Sequence, residues 1–193
     1  MKIIETTLKT TALYSDDESK RYLLRKEWDS SKPKLCIIML APSTASGVGL
    51  DSTTLLVLNN ATRLGFGRVD ILNLFAKLND FDLEAAERDD PDNSKAILAS
   101  AKDCDTIVYA AGVGKAKNEL FQERQKQVLT ALRPYESKLY CIGNKDGTVR
   151  MRHPLSPAVR TWELSKLKVS EVIPETKAAK LTTKEQKKKA NSQ

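Results

Sequence analysis

The chain has 193 residues, 40% of them hydrophobic and 30% charged, which suits one domain with a real core and excludes both a two-lobed enzyme of ordinary size and global disorder. No stretch approaches the roughly 18 consecutive apolar residues that span a bilayer, and the N-terminus MKIIETTLKTTALYSDDES turns polar too early for a signal peptide, so a cytoplasmic protein with no membrane partner is expected. The net charge of +7 is concentrated late, with nine basic against four acidic residues from Ala158 onward, which makes a polyanion such as nucleic acid an expected partner and a solvated basic tail the bland alternative.

In chain order, Arg21 to Trp28 reads as an edge strand or one arm of a hairpin. Leu35 to Leu40, Val69 to Phe75, Thr106 to Ala110 and Leu139 to Ile142 are strand-sized runs, mostly apolar on both faces, as buried parallel strands are. Helical segments separate them. Asp51 or Ser52 caps the first, in which Leu55, Leu58 and Thr62 recur at helical spacing and Gly65 is the stop. Pro91-Asp92-Asn93-Ser94 opens the second, and Asn118 to Leu132, ended by Pro134, forms the third.

Strands alternating with helices predict an α/β fold of three layers, αβα, around a central, mainly parallel four-stranded sheet with room for extra edge strands. Residues 1–172 read as a single α/β domain and 173–193 as a basic C-terminal tail that loses apolar periodicity. Cys36, Cys104 and Cys141 are widely spaced, two of them inside apolar runs, and the chain has one histidine, so no metal and no cofactor are expected.

Ligands in such sheets sit beyond the carboxyl ends of the strands. After the first strand, Pro42, Ser43 and Thr44 offer hydroxyls and free amides ahead of a helix start, a setting for an anion or a base edge or simply a turn. Asn73 interrupts an apolar strand, and a buried amide needs a partner, either loop backbone or the edge of a base. Gly112-Val113-Gly114-Lys115 lacks the spacing and hydroxyl of a P-loop, which rejects a nucleoside triphosphatase and leaves Gly112 as a tight turn beside a ligand or helix. The fourth strand leads to Arg152-His153-Pro154-Leu155-Ser156-Pro157, where prolines stiffen the loop carrying the histidine.

Arg21-Tyr22 with Arg25 and Trp28, Met39-Leu40-Ala41-Pro42-Ser43-Thr44-Ala45 followed by Asp51, Asn73-Leu74-Phe75-Ala76, and Lys145-Asp146-Gly147 leading to Arg152-His153-Pro154-Leu155 resemble the domain of unknown function 1643 family of bacterial and phage proteins. The order of a strand with a Pro-containing loop, a strand with an internal Asn, a strand ending in Gly and a strand ending in His-Pro is similar, more distantly, to the uracil-DNA glycosylase superfamily. That likeness implies a glycosylase-like fold in which Pro42 and Ser43 line a water site, Asn73 reads a flipped base, His153 stabilises the departing base and Leu155 wedges into the duplex. Position 41 departs from the pattern, being alanine where the related family carries asparagine and the glycosylases an asparagine or a nearby carboxylate. Alanine orients no water, and Asp51 substitutes only if its loop folds back; otherwise it is a helix cap.

The resulting expectation is a DNA glycosylase-like protein that binds a nucleobase and hydrolyses an N-glycosidic bond, with His153, Asp51 and Ser43 as catalytic residues. Pro42, Thr44, Asn73 and Phe75, with Gly112, Arg152, Leu155 and Ser156, form the base- or nucleotide-binding set. The expected partner is nucleic acid, DNA favoured over RNA, or a nucleotide, and the sequence leaves oligomeric state open. Two alternatives stand beside it: a non-catalytic nucleic-acid, nucleotide or repair-protein-binding module on the same scaffold, and a nucleoside- or nucleotide-processing enzyme.

Overall fold

The computed structural model describes residues 1–43, 45–78, 82–83, 86–87, 90–114, 117–144, 146–147 and 150–173. Strands β1 (Lys9–Tyr14), β2 (Arg21–Glu27) and β3 (Lys34–Met39) precede helix α1 (Ser52–Arg63), then β4 (Arg68–Asn73), α2 (Pro91–Asp103), β5 (Thr106–Tyr109), α3 (Glu119–Ala131), β6 (Leu139–Gly143), β7 (Glu163–Lys166) and the short α4 (Val169–Val172).

Among the described residues the sheet has seven strands in the order β1-β2-β4-β3-β5-β6-β7. This corrects the expected mainly parallel four-stranded sheet: β3 runs parallel to β4 and β5, and β5 to β6, while β1/β2, β2/β4 and β6/β7 are antiparallel. The architecture is mixed α/β. The physical reason for the difference is burial. β1 alternates exposed and half-buried residues, and no residue of β7 is fully buried, so neither carries the continuous apolar run that marks a strand covered on both faces. Arg21 to Glu27 proves to be an inner strand, arm of a hairpin with β1 and neighbour of β4.

Helix starts follow local chemistry. The Asp51 side chain accepts from the Thr54 N–H at the head of α1, Asp90 does so from Asn93 ahead of Pro91, and Asn118 from Phe121; each satisfies an N–H that the helix itself cannot. Gly65, at φ 86°, ends α1 in the left-handed conformation that glycine adopts without steric cost.

Alternation along the strands divides the core. Cys36, Ile38, Leu72 and Tyr109 face α2 and α3, whereas Leu35, Ile37, Val69, Ile71 and Val108 face α1. The three cysteines are buried free thiols, and burial pushes the Cys104 thiol up to about 12, which makes it a packing residue and not a nucleophile. Asp70 is fully buried and accepts two hydrogen bonds from Arg25 and two from Arg68, at 2.7 to 2.9 Å. Arg68 also pairs with Asp103, tying the start of β4 to the end of α2.

The order β4-β3-β5-β6 has a functional consequence. The chain leaves β3 through α1 toward β4 on one side, and leaves β5 through α3 toward β6 on the other. The carboxyl ends of β3 and β5 are therefore a topological switch point, where the outgoing connections diverge and open a crevice.

Candidate functional site

A cleft of about 470 Å³ lies at that switch point. Leu40 and Ala41 beyond β3 and Ala111 to Gly114 beyond β5 form one part of its wall; Arg152, His153 and Ser156, on the loop after β6, form the other. Of the residues singled out in the sequence, the cleft brings together Gly112, Arg152, His153 and Ser156.

The histidine loop is pinned to the sheet. The Arg152 N–H donates to the Ile142 carbonyl at 3.2 Å, and the Ser156 N–H to the His153 carbonyl at 2.9 Å; Met151 takes a left-handed φ of 54° to turn the chain. The Leu155 N–H donates to Nδ1 of His153 at 3.2 Å. Nδ1 is thereby an acceptor, and the neutral ring carries its proton on Nε2. Burial lowers the pKa of His153, an effect partly offset by the Asp51 charge, so the ring is neutral near pH 7 and offers a single N–H donor.

Gly112 makes this placement possible. Its φ is +80°, a conformation that favours glycine, and a Cβ there would be in ordinary contact with Cβ of His153, at 3.4 Å. Nε of Arg152 and Nδ2 of Asn73 are buried donors with no hydrogen-bond partner among the described residues. Such groups cost roughly 1–3 kcal/mol each when unmade, and an acceptor supplied by water or a ligand relieves that cost.

Asn73 is 1% exposed and stands opposite Met39 in the β3/β4 ladder, one strand away from the cleft wall, on the face that carries Ile71 and α1. Its backbone carbonyl accepts from Nδ2 of Asn93; its side chain does not serve that contact. Phe75 goes elsewhere, to a smaller cavity of about 190 Å³ lined also by Ser19, Lys20, Lys77 and Arg124. Leu155 is 40% exposed and, like Pro42, is not among the residues lining the cleft. Thr44 lies outside the described residues, as do Lys145 and the tail from 174.

Asp51 and Ser43 meet each other before they meet a ligand. The Asp51 carboxylate accepts from Thr54 N–H at 2.7 Å and Ala45 N–H at 3.3 Å. Burial alone would raise its pKa; hydrogen bonds from Ser43, Thr54 and Ala45 outweigh burial and hold the group below its usual value. It is an ionised cap whose charge His153 feels.

Two cations that sequence reading did not single out as site residues fix this loop. Arg21 donates to the Ala45 carbonyl. Nζ of the fully buried Lys26 donates to Thr10 Oγ1 at 2.9 Å and to the carbonyls of Ser46 and Gly47. Burial lowers the pKa of both, and the Arg21 charge lowers Lys26 further. The signal available in the sequence was a strand, Arg21 to Glu27, with basic side chains on both faces.

Among the described residues no group of three or more His, Cys, Asp or Glu could hold a metal ion, and no helix is long and apolar enough to cross a membrane.

These features define a mixed α/β protein with a largely apolar cleft at a topological switch point, in which Arg152, His153 and Ser156 are the polar side chains. Residues 21–155 match the family described as Protein of unknown function (DUF1643), and the chain belongs to that family. Comparisons with curated proteins and with solved structures give no match, so they lend no support to a likeness with the uracil-DNA glycosylases.

Proposed function

We propose that the cleft binds a nucleobase, presented by DNA or a nucleotide, and that His153 holds it through an Nε2–H donor to a base oxygen or ring nitrogen. The observation that carries this reading is the neutral, tautomer-fixed His153 beside the unpartnered Nε of Arg152. Breaking an N-glycosidic bond leaves the bonding pair on the base and positive charge on the sugar carbon. A neutral imidazole donor and an adjacent guanidinium favour that base anion. Water then adds its oxygen to the sugar carbon and yields one proton, which the released base takes up. The ionised Asp51 adds a negative potential that His153 feels, while Asn73, one strand away and turned toward α1, lies outside the cleft and carries no part of this reading.

A second reading, a binding module without hydrolysis, is favoured by Ala41 in the cleft wall and by the engagement of Asp51 in capping. One experiment separates the two. Duplex and single-stranded DNA carrying uracil or modified pyrimidines is incubated with the protein and scored for alkali-labile sites, with His153→Ala and Arg152→Ala alongside. Cleavage lost in both variants supports the hydrolase, and binding without cleavage supports the module. Absence of binding at low salt removes nucleic acid from consideration.

A further inference from the structure

Among the described residues β1 is an outer edge of the sheet, paired with β2 alone. Edge strands expose unpaired N–H and C=O groups, which proteins ordinarily blunt with charge, proline or cover. Here the strand carries one lysine, Lys9, and no proline, and the segment before it displays Ile3 at 86% and Ile4 at 77% exposure, with Met1 and Leu8 also exposed. The two faces of β1 differ. Thr10 bonds to Gly47 and Lys26, and Ala12 packs on the α1-side cluster, so Lys9, Thr11 and Leu13 face the α2 side. On that side Leu13, Tyr14, Tyr22, Ala96 and Ala99 line a groove of about 380 Å³.

From this edge we infer that the protein forms a dimer in which residues 1–13 of two copies pair antiparallel about a two-fold axis at Thr7. In that register Glu5 of one copy lies opposite Lys9 of the other, twice by symmetry. Met1 falls opposite Leu13 and Ile3 opposite Thr11, on the face that holds the apolar groove. Shifting the register by one residue pair in either direction leaves Glu5 opposite a threonine and the charges unmatched. Cross-strand pairs of opposite charge favour a register and like charges oppose it, and the pairing satisfies the open edge while bringing Ile3 onto the groove face. The occupant of the edge is thus a second copy of this chain, selected by self-complementary charge, and the inference is independent of what the cleft binds.

Sedimentation velocity of the full chain across a concentration series tests it, with circular dichroism confirming that each variant is folded. Dimerisation is expected. Glu5→Lys and Lys9→Glu should each raise the dimer dissociation constant by about tenfold, and the two together should return it to the wild-type value, because the double reversal recreates opposite-charge pairs. A monomer at every concentration, a dimer indifferent to the single reversals, or a double variant no tighter than the singles would each overturn the proposal.

Discussion

The Leu155 amide donates to Nδ1 of His153 at 3.2 Å, so a backbone group two residues away decides which nitrogen of the ring faces a ligand. Protonating the ring puts a hydrogen on Nδ1, which then loses its donor. The same contact that fixes the tautomer therefore opposes the charged form.

The consequence is measurable because the chain has one histidine. Its NMR titration should have a midpoint below about 6.5, the value for an exposed histidine. In the interval between the two values the unfolded chain binds the proton and the folded one does not, so stability is full above the ordinary value and declines as pH falls toward the lowered folded one. Ligand binding that uses the neutral donor should weaken over the same acid range. A midpoint at or above the ordinary value contradicts the neutral assignment.

Asn73 allows function to be told from stability. Replacing it by leucine removes an unpartnered buried donor and keeps the approximate shape. Chemical denaturation should show no loss, or a gain of about 1 kcal/mol, while base binding is unchanged, because the side chain does not line the cleft. Marked destabilisation would mean that the amide serves the fold.

Gly112 and Gly114 line the same cleft and should respond differently. Gly112→Ala forces an L-residue into φ +80° and toward His153, whereas a Cβ at Gly114 meets nothing within 4 Å. The first should cost about 1 kcal/mol and shift the histidine resonances; the second should leave both unchanged. Thermal melts with one-dimensional NMR distinguish them.

Asp70→Asn leaves Arg25 and Arg68 beside a buried neutral amide in place of a shared carboxylate. The expected cost is about 3 kcal/mol in denaturant unfolding, with little effect on the cleft. Hydrogen bonds and charge from the two arginines overcome burial and hold the Asp70 pKa below its usual value. In the wild type that contribution is present above the ordinary carboxylate range and is lost as pH falls through the lowered one; the variant should be flatter in acid.

The sequence by itself determined the four apolar runs that became β3, β4, β5 and β6 and the capping residues that start the helices between them. Both are local: burial on two faces and an unpaired helix N–H each leave their mark within a few residues. It did not determine β1 and β7, whose half-exposed alternation resembles ordinary polar sequence, nor the antiparallel pairing that makes the sheet mixed. Tertiary structure alone decided which strand-end residues share a cleft. Alternation along β4 puts Asn73 on the face of Val69 and Ile71, toward α1, while Phe75, past the strand end at Asn73 and so free of that alternation, lines the cavity bounded by Arg124. His153 reaches Gly112, 41 positions earlier in the chain, only because β5 and β6 are neighbours, and its proton sits on Nε2 only because the loop folds the Leu155 amide onto Nδ1.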